Sequence, residues 1–194
     1  MKMNMKMLGS GLVVAFGLAL LSPSLAHAVS QQLDCGMGGK QTMEFSAVAP
    51  AAVSVGSTFT VQIGGDTAKP VKVSGSAIKN MTWYFPMPAG VTIVNGPVVK
   101  NVGKQGTVVS GKGTLGTISV SVRNGVIVLS ATGPVDDGNV FVPPGFSVDV
   151  KSTTVGELSF HPAASPTIGY TAGAFSISCK SVLPLVDLAK VKVG

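Results

Sequence analysis

The chain has 194 residues, 45% hydrophobic and only 11% charged, with 14 lysines and arginines against 8 acids for a formal charge of +6. The basic residues are scattered and Arg123 is the single arginine. Nucleic-acid recognition asks for clustered, planar donors, so that class of partner is excluded.

In chain order, the first element is an export leader. Lys2 and Lys6 make a positive start, Leu12 to Leu21 is a run of ten apolar residues, and Ala26-His27-Ala28 is a small-residue cleavage pattern. The apolar run is half of the roughly 20 residues that a membrane span needs, so no transmembrane span is expected in the mature chain. Removal of residues 1–28 leaves 166 residues at +4, ample for one core. Cys35 follows Gln32-Leu33-Asp34 rather than the small residues that precede a lipidated cysteine.

The mature chain then reads as a series of short strands. Thr42 to Val48 and Thr58 to Ile63 alternate with period two, placing Met43, Phe45, Phe59, Val61 and Ile63 inward. Val71 to Ile78 is interrupted by Gly75 and reads as an irregular strand. Met81 to Pro88 carries the run Trp83-Tyr84-Phe85. Val91 to Val94 and Val98 to Val102 are separated by Asn95-Gly96-Pro97, a turn signal. Gly103 to Gly116 is glycine-rich, with one short strand expected at Thr107 to Val109. Thr117 to Val122 and Val126 to Leu129 flank Asn124-Gly125, the residue pair that favours a tight type I′ hairpin turn. Thr132 to Asn139 is a polar loop and Val140 to Gly145 a stiff connector. Phe146 to Val150, Val155 to Phe160, Thr167 to Thr171 and Ala174 to Cys179 complete the strands. Ser181 to Gly194 is a tail or one further edge strand. With no helical period of useful length, the fold class is all-β, a single sandwich over residues 29–180.

The two cysteines, Cys35 and Cys179, lie 144 positions apart. Redox pairs sit two residues apart, and metal sites need three or four ligands, of which the mature chain offers few beyond His161 and scattered carboxylates. A structural disulfide is expected, contributing about 4–5 kcal/mol through restriction of the unfolded chain.

Other candidate residues are weaker. His161 has the chemistry of a general base, but no nucleophile motif accompanies it. Asp136, Asp137 and Asn139 are too few oxygens for calcium, which takes six to eight. Asn80-Met81-Thr82 matches a glycosylation acceptor. In the aromatic run, neighbouring strand residues face opposite sides. Trp83 and Phe85 therefore share a face that Tyr84 does not: either those two lie in the core with Tyr84 half-exposed, or one face looks outward or into a groove as a possible binding surface for a sugar ring or a partner protein.

Cys35 just after the leader, Val48-Ala49-Pro50-Ala51-Ala52-Val53-Ser54-Val55-Gly56, and Cys179 after Tyr170-Thr171-Ala172-Gly173-Ala174-Phe175 together resemble a group of small exported actinobacterial domains. The resemblance spans Leu33 to Lys180 and implies an immunoglobulin-like sandwich in the envelope or culture fluid. It brings no catalytic residue with it.

The expectation is a non-enzymatic, secreted or cell-surface binding or structural module without metal or cofactor, whose partner is an envelope protein or glycan. The alternative is a carrier of a small apolar ligand or lipid, held between the sheets or under the loop from Gly103 to Gly116. It requires a cavity of about 300 Å³ or more.

Overall fold

The computed structural model describes residues 27–64, 70–101 and 103–194. The expected leader lies outside these residues, except His27 and Ala28. Those two open the first strand, β1 (His27–Asp34), which pairs along its whole length with β2 (Lys40–Val48). A short 3-10 turn at Gly36–Gly38 joins them. Next come β3 (Ala52–Val53), β4 (Thr58–Ile63), β5 (Val71–Lys72), β6 (Ile78–Pro86) and β7 (Val91–Val99). The middle of the chain supplies β8 (Thr107–Ser110), β9 (Ile118–Arg123), β10 (Val126–Ala131) and β11 (Val140–Val142). The last five are β12 (Phe146–Ser152), β13 (Gly156–Phe160), β14 (Ile168–Ala172), β15 (Phe175–Ser181) and β16 (Ala189–Val193).

The expected all-β sandwich closed by a disulfide is the architecture found. Ten strands form one antiparallel sheet in the order β7-β12-β4-β2-β1-β15-β14-β6-β10-β9. It curls over until its two end strands, β7 and β9, approach within 8 Å at their α-carbons. The seam between the two halves is thin, for β1 pairs with β15 only at Leu33–Ser181 and Asp34–Lys180. One residue further along, Cys35 and Cys179 are joined by a disulfide with their α-carbons 4.0 Å apart. The covalent link therefore staples neighbouring strands where hydrogen bonding between the halves is sparsest.

The inner faces carry the alternating apolar residues. Phe85 of β6 packs edge-on against Phe45 of β2, ring centres 6.0 Å apart, and lies 5.3 Å from Phe146 of β12. This triad crosses the sandwich and ties three strands distant in sequence. A three-stranded sheet, β13-β16-β3, is docked by Phe160 edge-on to Phe59, centres 6.5 Å apart. A second, β5-β11-β8, presents buried Phe141.

Several elements differ from the sequence reading. Asn95-Gly96-Pro97 does not turn the chain. β7 runs through it as an edge strand, and register shifts opposite Asp149 absorb the irregular residues, an edge being where a sheet tolerates proline. Val140 to Val142, read as connector, is the middle strand of β5-β11-β8. The Asn124-Gly125 turn forms as expected, with φ of 49° and 75°. Beyond Cys179, β16 lies between β13 and β3 with Ala189, Val191 and Val193 buried. The chain leading to it is clamped by the buried Gln31, which donates to the Val182 carbonyl at 2.7 Å and accepts from the Val186 amide at 3.0 Å.

Three carboxyls are held below the usual aspartate range. Asp34 accepts from the Gly36 amide and faces Lys180; Asp149 accepts from Thr60 and then Asn95; Asp187 accepts from Ser159 and pairs with Lys190. A carboxyl whose pKa is lower folded than unfolded stabilises above the unfolded value, near 3.9, and ceases to do so as pH falls through the folded value. Stability is therefore expected to decline on acidification from about pH 4 downward. Chemical denaturation of Asp149→Asn across this range checks it, the variant showing the shallower decline.

Candidate functional site

One side of the sandwich carries a cleft. Among the described residues β2 is paired with β1 throughout and with β4 at Ala47 and Val48. The segment from Gln41 to Glu44 lines the cleft. Across the cleft stands the stretch from Pro70 to Ser76, which includes β5, itself an edge strand of its small sheet. β6, β14 and β15 supply the floor.

The cleft encloses about 860 Å³. Its lining is mixed, with Met43, Met81, Trp83, Phe141, Ile168 and Ile177 on the apolar side and Gln41, Thr42, Ser74, Ser76 and Tyr170 among the polar residues. Met37, Met43 and Met81 all line it, three of the four methionines beyond residue 28. Methionine is unbranched and polarisable, and suits surfaces that must fit more than one shape. Gln41 donates to the Tyr170 hydroxyl at 3.3 Å, and the half-buried Tyr170 stands close to the turn after the disulfide. A side chain at Gly38 would meet that hydroxyl and the Cys35 Cβ at 3.1 Å each, so glycine keeps this end of the cleft clear.

A second, small pocket of about 20 Å³ is lined among others by Met43, Glu44, Phe45, Ser46, Trp83 and Phe85. It shares Met43, Glu44 and Trp83 with the cleft. Two polar atoms of its lining residues, Trp83 Nε1 and Ser46 Oγ, are buried and have no hydrogen-bond partner among the described residues. Buried polar atoms are nearly always paired, which makes this the most unusual polar site in the described core.

Of the two readings of Trp83-Tyr84-Phe85, the core one is found and the outward binding surface is not. Trp83 and Phe85 are 2% and 3% exposed and Tyr84 is half-buried, so the run offers no outward aromatic face. Phe85 belongs to the packed triad, while Trp83 reaches the cleft from inside. The carrier's cavity was also expected between the sheets or under Gly103 to Gly116; no residue of that loop lines the cleft.

Other sequence candidates are occupied elsewhere. Asp137 accepts from the Gly75 amide at 2.8 Å, and the Asn139 side-chain amide donates to the Lys112 carbonyl, so both hold loops together. No cluster of three or more His, Cys, Asp or Glu suited to a metal occurs among the described residues. His161 Nδ1 lies 2.9 Å from the Pro162 carbonyl. Asp187 feels the His161 charge, yet Ser159 donates directly to Asp187 at 2.5 Å. That arrangement joins hydroxyl to carboxylate without the imidazole between them, unlike a nucleophile and its base. Asn80 is exposed, with φ of 52°.

No protein-family model matches the chain, and no curated protein matches it in sequence. A solved structure from Corynebacterium diphtheriae, of a protein described as membrane anchored, aligns over 87% of this chain at 18% identity with a TM-score of 0.52. The alignment covers 38% of that protein, so this chain is similar to a portion of it, and the likeness is one of fold. A cohesin module from a family 33 glycoside hydrolase of Clostridium perfringens aligns over 87% of this chain and all of its own at 13% identity, with a TM-score of 0.32. Among the described residues no helix is long and apolar enough to cross a membrane. A cross-strand disulfide in an all-β sandwich is the chemistry expected of a protein working outside the cytoplasm.

Proposed function

We propose that this chain is a non-enzymatic module that acts at the cell surface or in the surrounding fluid and takes its ligand in the cleft between β2 and β5. The observation that carries the reading is the cleft itself. At about 860 Å³ it exceeds the roughly 300 Å³ that a small-molecule site needs, and it has a lining as polar as it is apolar on a scaffold held by a disulfide. The leader at residues 1–28 supports export, and the C. diphtheriae likeness supports the fold.

The test is to purify the full chain from cells that export it and look for a bound molecule by native mass spectrometry and solvent extraction. The wild type is expected to carry one. Ala172→Trp, which adds bulk at the cleft wall, is expected to melt at the wild-type temperature and come out bare. A wild-type protein that also comes out bare overturns the reading.

A second reading, binding of an envelope protein through an outer face, is favoured by one observation. Val94, Val98 and Val99 of β7 and Val122 of β9 are exposed on the two end strands that meet. Retention on the envelope that Val98→Glu abolishes and Ala172→Trp does not would favour that face over the cleft.

A further inference from the structure

Resting on the cleft as the binding site, we infer that Met37 is a modification site. A peroxide oxidises its thioether first in the folded chain, and the sulfoxide lowers what the cleft binds. Met37 lines the cleft and is 83% exposed. Met43 and Met81 line the same cleft but are 9% and 2% exposed. Oxidation of methionine follows exposure, so one cleft holds a sulfur open to solvent and two sheltered ones.

The chain around Met37 holds it outward on a fixed turn. Met37 is the middle residue of the 3-10 turn at Gly36–Gly38, between β1 and β2. The Gly36 amide donates to Asp34 at 3.0 Å, the Gly38 amide to the Cys35 carbonyl at 3.0 Å, and the Cys35 amide to the Gly39 carbonyl at 2.9 Å. Cys35 is in turn fixed by the disulfide. Gly36 and Gly39 have φ of 59° and 76°, which glycine adopts without strain. The turn is thus tied down on both sides while its one large side chain stays in water, where an apolar group adds little to stability. Chemistry at this sulfur can therefore act on the cleft and leave the fold intact.

In the step itself the sulfur lone pair attacks one peroxide oxygen. An S–O bond forms and the O–O bond breaks. The departing hydroxide takes the proton from the transferred oxygen and leaves as water. The sulfur is oxidised by two electrons and the peroxide is reduced by two. A flexible apolar thioether becomes a polar, chiral sulfoxide at the rim, and an apolar part of a bound molecule loses its contact there.

The probes are hydrogen peroxide for the sulfur and N-phenyl-1-naphthylamine, a neutral apolar dye, for the cleft, both applied to the disulfide-bonded full chain. Dye emission that Ala172→Trp removes is the signal from the cleft. Peptide mass mapping is expected to show Met37 oxidised at least about tenfold faster than Met43 or Met81. Dye affinity is expected to fall about fourfold on treatment, the worth of one methylene-sized contact. Met37→Leu is expected to bind the dye as the wild type does and to be insensitive to peroxide. Met37→Gln, polar without oxidation, is expected to bind it about fourfold more weakly from the outset. Both variants are expected to melt at the wild-type temperature, as exposed substitutions do.

Oxidation spread evenly over the three sulfurs, or dye binding unchanged once Met37 is oxidised, overturns the inference and leaves the cleft as the binding site. A peroxide effect that persists in Met37→Leu belongs to another sulfur and overturns it too. If the dye does not enter the cleft, the same comparison is read by native mass spectrometry on the molecule that co-purifies. If neither is bound, the functional reading falls and this inference with it.

Discussion

Replacing both cysteines by alanine (Cys35→Ala with Cys179→Ala) is expected to lower stability by about 4–5 kcal/mol, and the melting temperature by roughly 10–20 °C for a domain of this size. The link closes a loop of 144 positions, so the unfolded chain regains much freedom when it is lost. The native structure suffers too, because β1 and β15 share only two residue pairs beside it. Calorimetry on the variant, and on the wild type with and without reductant, checks the figure. A shift of a degree or two would mean that the seam is held by something other than the sulfurs, with the clamp from Gln31 to Val182 and Val186 as the first candidate.

Phe85→Ala is the second large effect, expected to cost about 3–5 kcal/mol. Phe85 is 3% exposed and meets Phe45 and Phe146, so truncation empties the point where β2, β6 and β12 converge. Phe85→Leu retains most of the volume and should cost clearly less, separating the cavity term from the loss of ring contacts. Urea denaturation at neutral pH measures both. A loss below about 1 kcal/mol in Phe85→Ala would show that the neighbouring rings collapse into the space.

Strands that alternate cleanly were legible in the sequence because one face is wet and the other dry. Thr58 to Ile63 forms over the expected residues, and β10 lies between neighbours as its unbroken apolar run implies. β1 was not legible. Its run Ser30-Gln31-Gln32 is polar, and Gln31 is buried for its hydrogen bonds and not for apolar contact. β7 was missed because turn-forming residues were tolerated at an edge. At the site, the alternation of the aromatic run allowed Trp83 a place in the core, but its burial without a hydrogen-bond partner depends on packing beyond the run itself. The cleft brings residues of β2, β6, β14 and β15 together with the stretch from Pro70 to Ser76, a meeting of distant segments that no local pattern encodes.

The position of β1 has a consequence for how the molecule is made. The strand nearest the amino terminus lies inside the ten-stranded sheet, and its second neighbour, β15, is synthesised more than 140 residues later. A chain made amino end first therefore holds β1 and β2 as a hairpin whose Leu33–Asp34 end, with Cys35 beside it, waits for its partners until the final part of the sequence arrives. Such long-range pairing is slow, and an open edge invites the wrong partner. Shielding that end while the chain is completed, rather than packing the finished core, becomes the step on which yield depends.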